Sequence, residues 1–176
     1  MTSDEGRPVP VPPHEYARTL PHLTAYACFY VRDEHDHPLQ LRSVYGTRPW
    51  QFPGGNQDTG EDPVQTARRE AVDKTGLTHW PSFPALLLVH YLHPEGQWPL
   101  PRVGFVFDSG RLSRDQLDRI RLDPDEHSEW AVHSWAEWER RMNRRGFARL
   151  RAVEEARQGS GPALLITGPA SSSAPA

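Results

Sequence analysis

Trp50-Gln51-Phe52-Pro53-Gly54-Gly55-Asn56-Gln57-Asp58-Thr59-Gly60-Glu61 runs straight into Asp62-Pro63-Val64-Gln65-Thr66-Ala67-Arg68-Arg69-Glu70-Ala71-Val72-Asp73-Lys74-Thr75-Gly76-Leu77. The first half is a rigid turn followed by a loop, because proline fixes φ and the glycines admit close backbone approach. The second half carries start and stop signals of a helix. Asp62 stands at an N-cap, Pro63 suits the first helical position, Gln65 completes a capping box, and Gly76 supplies the left-handed residue past the end. At 100° per residue, Val64, Ala67, Ala71 and Thr75 share one narrow face of small side chains, which predicts close packing on a sheet. Arg69, Glu70, Asp73 and Lys74 fall on the opposite side. Glu70 lies three residues from Asp73 and four from Lys74, so their heads meet on adjacent turns. Periodicity alone makes this an ordinary solvated face. Two carboxylates so grouped also suit a hard cation such as magnesium, which leaves room for substrate phosphates.

Working outward, His22–Arg32 alternates through Leu23, Ala25, Ala27, Phe29 and Val31 as a strand does. Asp33–Pro38 is a turn cluster and Leu39–Tyr45 reads as a returning strand, predicting a hairpin. Ala85–Leu92 and Val103–Phe107 suit buried strands. Leu112–Arg121 reads as a short helix capped by Ser113, and His127–His133 as the last strand. Ser134–Arg157 has a helical pattern interrupted at Gly146. Strands on both sides of a central helix, with a second helix late, predict an α/β class fold. Residues 1–20, rich in proline, read as a flexible segment, 21–167 as the domain, and 168–176 as a disordered tail.

Bulk properties narrow the function. A chain of 176 residues suits one domain, and a net charge of -3 argues against general nucleic-acid binding. The single cysteine, Cys28, excludes an internal disulfide and any cysteine-based zinc cluster. No apolar run suits a signal stretch or a membrane span, so a soluble cytoplasmic protein is expected. The nine histidines form no pattern that specifies zinc.

The spacing goes further than the periodicity. Gly55, Glu61, Arg69, Glu70, Gly76 and Leu77 stand at the positions that define the Nudix box, and the lead-in Trp50–Gly55 is one that family members often share. The motif resembles that box over 23 residues, with Ala71 a small version of the expected apolar residue. Two positions depart. Where the family has consecutive glutamates, this chain has Asp73 and Lys74. Asp73 keeps the charge with a shorter reach. Lys74 puts a cation where a metal ligand is usual, and it is the chain's only lysine beside 19 arginines. Its ammonium pairs with Glu70 and competes with magnesium, or else contacts a substrate phosphate as a point charge.

The resemblance implies a Nudix-like α/β/α sandwich with a mixed sheet. It implies a Mg2+- or Mn2+-dependent hydrolase that splits a diphosphate bond in a nucleoside diphosphate derivative. In that reading Glu70 is a metal ligand or the base, and Arg69 orients the carboxylates. The metal set is Glu70, Asp73, Gly55 and a loop carboxylate, for which Glu126 is preferred over Asp125 and Glu129. Trp50, Phe52 and Lys74 contact the substrate, while Gly54, Glu61 and Gly76 are structural. The partner is a small phosphorylated metabolite, with neither nucleic acid nor membrane, and a homodimer is common in the family. Lys74 leads us to expect slow turnover, and it keeps open a second reading, a Nudix fold that binds a nucleotide-like ligand without cleaving it.

Overall fold

The computed structural model describes residues 11–46, 49–159 and 161–168. The expectations for residues 1–10 and 169–176 lie outside them.

Five strands make the larger sheet: β1 (Thr24–Arg32), β4 (Gly54–Asn56), β5 (Leu86–Leu92), β6 (Arg102–Arg111) and β8 (Ala163–Thr167), in the order β4-β1-β6-β5-β8. It is mixed, since β1 runs parallel to β6 and β5 to β8, while β1–β4 and β5–β6 are antiparallel. A smaller sheet holds β3 (Trp50–Gln51), β2 (Leu39–Ser43) and β7 (His127–Val132). The helices are α1 (Pro13–Ala17), α2 (Pro63–Thr75), α3 (Arg114–Leu117), α4 (Trp135–Arg141) and α5 (Arg144–Gln158).

The strand β1 shows why the molecule is layered. Ala27, Phe29 and Val31 point into a core shared with Ala67 and Ala71 of α2. Cys28 and Tyr30, on the other face, join Trp138, Leu150 and Val153 of α4 and α5 in a second core. Side chains alternate across a strand, so one strand serves both layers. This is the expected α/β/α sandwich. The second core is pinned by a polar contact, in which the buried Tyr30 hydroxyl donates to Glu154 Oε2 at 2.8 Å. Glu154 also accepts from Arg157 (2.8 and 2.6 Å) and Gln158 (2.6 Å).

Several expectations are corrected. β1 and β2 do not form a hairpin: β4 and β6 occupy both edges of β1, and only an isolated Arg32–Pro38 bridge joins the two strands. Asp36, at φ 62°, turns β2 into the other sheet. The late helical stretch breaks at Met142–Asn143 and not at Gly146, whose N–H is instead capped by Asn143 Oδ1 at 2.8 Å. β7 is not the last strand, because β8 adds to the edge beyond β5. Trp50–Gly55, read as a turn, contributes residues to β3 and β4, and the proline-rich start holds the single turn of α1.

Burial works to raise the Glu154 pKa, but Arg157, Tyr30 and Gln158 outweigh it and hold the carboxyl below its ordinary value. A carboxylate depressed in the folded state stabilises above its unfolded pKa of about 4.3, and that stabilisation is lost as pH falls through the folded value. We therefore expect Glu154→Gln to lower the thermal midpoint at pH 7. The gap to wild type should shrink steadily as melts are repeated below about pH 4.3. A gap that does not change with pH would mean the ionised form contributes nothing.

Candidate active site

Helix α2 begins and ends as its sequence requires. Asp62 Oδ1 accepts from the N–H groups of Val64 and Gln65 (2.8 and 2.9 Å), the Gln65 side chain returns to the Asp62 N–H, and Gly76 closes the helix at φ 70°. With both ends fixed, Arg69 is brought over the preceding loop. Its guanidinium holds Glu61 through two parallel bonds, Nε–Oε1 at 2.7 Å and Nη2–Oε2 at 3.0 Å. It also donates to Glu70 Oε1 (2.9 Å) and to the Asn56 carbonyl (3.0 Å). Such bidentate pairing fixes orientation as well as charge. The Glu61 carboxyl is accordingly lowered to about 2, chiefly by its bonds to Arg69.

Glu70 does not stand on a solvated face, as helical periodicity suggested; it is 8% exposed. Its carboxylate rests against Gly55 of β4, where an added Cβ would fall 2.3 Å from the carboxyl carbon. Gly54 is equally constrained on β1, since its Cβ would meet that of Cys28 at 2.2 Å. The other oxygen of Glu70, Oε2, lies 3.5 Å from Lys74 Nζ. Lys74 also donates to Glu126 Oε2, which arrives from the turn before β7. Burial works to lower the Lys74 pKa, but Glu126 and Glu70 outweigh it and hold the ammonium above its ordinary value.

The predicted residues are therefore only partly assembled. Arg69, Glu70, Glu61, Gly55, Lys74 and Glu126 meet. Asp73 stays at the rim, 56% exposed and 3.7 Å from Arg69 Nη1. Of the alternative loop acids, Glu129 pairs with Arg42 across β2 and β7 at 3.2 Å. Trp50 and Phe52 are core residues first, packed edge-to-face on Trp138 and Tyr30.

Trp50 and Phe52 also line a cavity of about 620 Å³ on the α5 side of the large sheet, bounded by Gly54 and Gly55. Arg102, Arg145 and Arg149 give its wall positive charge; Arg145 pairs with Glu95, and Arg149 lies 4.8 Å above the Phe52 ring. Its floor carries the Tyr26 hydroxyl, 2.9 Å from His90 Nδ1, while His90 Nε2 lies 3.0 Å from Thr167 Oγ1. Tyr26, Arg102 and Arg149 went unnoticed in the sequence because they come from three separate elements with no common spacing. The thiol of Cys28, which also borders the cavity, is pushed up to about 12 by burial, in keeping with a packing role.

The residues present do not fit a divalent cation. Both Glu70 oxygens are engaged by cations, Glu126 is engaged by Lys74, and Asp73 stands apart. Among the described residues, no group of three His, Cys, Asp or Glu is arranged to hold a metal ion.

A capped helix that sets an arginine-bound glutamate against a glycine-rich strand, inside an α/β/α sandwich with a mixed sheet, defines a Nudix-type architecture. A family model described as NUDIX domain matches residues 21–152, and the chain belongs to that family. It is 32% identical over 97 residues to an RNA pyrophosphohydrolase of Caulobacter vibrioides, covering 49% of this chain and 54% of that protein. It is 51% identical over 35 residues to one of Vibrio vulnificus, 20% of each. The chain thus spans about half the length, or less, of these curated relatives. Among solved structures it is similar to a MutT protein of Methanosarcina mazei Go1 (TM-score 0.61, 20% identity, covering 78% of this chain and 95% of that one). It is also similar to an Ap4A hydrolase of C. elegans (TM-score 0.59, 20% identity, 78% and 99%). At these identities the structural likeness is one of fold. No helix among the described residues is long and apolar enough to cross a membrane.

Gly55→Ala tests the contact between strand and helix. The displaced atoms end a side chain whose two oxygens are paired with Arg69 and Lys74, so we expect a folded protein with a lowered melting midpoint and loss of whatever Glu70 does. Nucleotide cleavage and binding at wild-type levels would show that this close approach is dispensable.

Proposed function

We propose that the chain hydrolyses the diphosphate bond of a nucleoside diphosphate derivative. The observation that carries this reading is the placement of Glu70. Its carboxylate lies against Gly55, and Gly55 borders the cationic cavity, so no side chain stands between the acid and the backbone of the cavity wall.

In this reading the cavity arginines receive anionic oxygens of the ligand, and Trp50 and Phe52 present ring edges to its apolar part. Glu70 lies across the bare edge strand β4 from the cavity, and takes a proton from an attacking water when the ligand's diphosphate reaches around that edge. Arg69 holds that carboxylate in register through its bonds to Glu61 and the Asn56 carbonyl, and is a positioning residue. Lys74 adds a positive charge beside Glu70 that a phosphate oxygen can share. The resident groups thus supply orientation, charge and a proton acceptor.

A second reading follows from Lys74. With an ammonium among the carboxylates, the same cavity suits a module that binds a nucleotide-like ligand and does not cleave it.

The two readings part on a panel of ADP-ribose, a dinucleoside polyphosphate, and a 5′-triphosphorylated RNA, the last included because the relatives bear the name RNA pyrophosphohydrolase. Release of phosphate or nucleotide is followed with Mg2+, with Mn2+ and with chelator. We expect cleavage of at least one compound, reduced at least about 100-fold in Glu70→Gln. Binding of a panel member with no cleavage under any condition would replace hydrolysis by the binding module.

A further inference from the structure

We propose that Lys74 is the resident cation of this site, filling with a side chain the place between Glu70 and Glu126 that the Nudix resemblance assigns to a divalent metal. Its Nζ lies 3.5 Å from Glu70 Oε2 and closer still to Glu126 Oε2. These carboxylates come from different parts of the fold, α2 and the turn leading to β7, and the ammonium joins them as a shared metal ion would. The inner half of the site is shielded: the side chains of Lys74 and Glu70 are 16% and 10% exposed, while that of Glu126 is 40% exposed, so the Lys74–Glu70 pairing is less screened than one at an open surface.

Two further features close the position. Glu70 Oε1 is taken by Arg69 at 2.9 Å, leaving neither oxygen of that residue without a cation. Asp73, the other acid of the box, is more than half exposed and faces Arg69, not the Lys74 side. An incoming divalent ion must therefore displace an ammonium and meet its positive charge at contact distance, where repulsion is strong. The chain uses arginine at 19 basic positions and lysine at this one alone. A compact point charge on a flexible stem imitates a metal ion better than a planar guanidinium does.

The test uses Mn2+ alone, titrated into the whole chain as wild type, Lys74→Glu and Lys74→Gln, with the free ion read by electron paramagnetic resonance. We expect Lys74→Glu to bind Mn2+ at least about tenfold more tightly than wild type, with Lys74→Gln in between. Mn2+ should raise the thermal midpoint of Lys74→Glu and leave that of wild type unchanged. Lys74→Gln removes the ammonium without adding a third acid, so the comparison survives if Lys74→Glu does not fold. Wild type binding Mn2+ as tightly as the folded variants overturns the proposal. Because no nucleotide is present, this result and that of the cleavage panel stand or fall separately.

Discussion

The guanidinium of Arg69 makes six close polar contacts across three segments of chain: the loop carboxylates of Glu61 and Asp58, the strand carbonyl of Asn56, and Glu70 and Asp73 on its own helix. Its planar fork lets Glu61 fix its orientation while the remaining N–H groups reach elsewhere. Without it, the loop of residues 57–62 would have no charged tether to the helix, and Glu61 and Glu70 would repel each other. Thr66 reinforces the arrangement by donating to Glu61 Oε2 at 2.9 Å, so the loop is held to the helix at two heights. The rest of the site inherits its position from this hub.

The sandwich separates two chemical environments with very little material. On one face of β4 lies the cluster of acids and cations around Glu70; on the other, a cavity with aromatic edges and arginines. Gly54 and Gly55 make this separation thin, and their close contacts with Cys28 and Glu70 leave no room for side chains. His127 connects the smaller sheet to the same region: its Nε2 lies 2.9 Å from the Gln51 amide, and burial and Lys74 hold its pKa below the ordinary value. A neutral imidazole there spares Lys74 a neighbouring positive charge.

What the sequence disclosed followed from local rules. Caps, the glycine end of α2, and the alternation in β1 each depend on residues a few positions apart, and each appears in the structure as read. Spacing along the box likewise foretold that Arg69, Glu61 and Glu70 belong together. What stayed hidden depends on distant partners. Helical periodicity placed Glu70 on the outer face because it cannot see that β4 covers that side. The break before α5 was misplaced because Gly146 draws the eye, although Asn143 is the residue whose side chain caps. The hairpin failed because the turn cluster Asp33–Pro38 says nothing about β4 and β6 already flanking β1. The cavity's Tyr26, Arg102 and Arg149 have no common spacing to betray them, whereas Glu126 could be shortlisted only as one loop acid among three.

The hydrogen bond between Tyr30 and Glu154 spans 124 positions of the chain. Contacts of such long range form late, since loop closure must precede any gain from them. During synthesis the first strand emerges well before the helix that covers one of its faces, and Tyr30, Phe52 and Val106 then present an uncovered apolar surface. The order of translation thus sets an order of assembly, with the layer around α2 complete first and the cavity layer last. A chain cut short before Asn143 would retain the arginine hub and Arg102 yet lack α5, and with it Arg145 and Arg149 of the cavity wall.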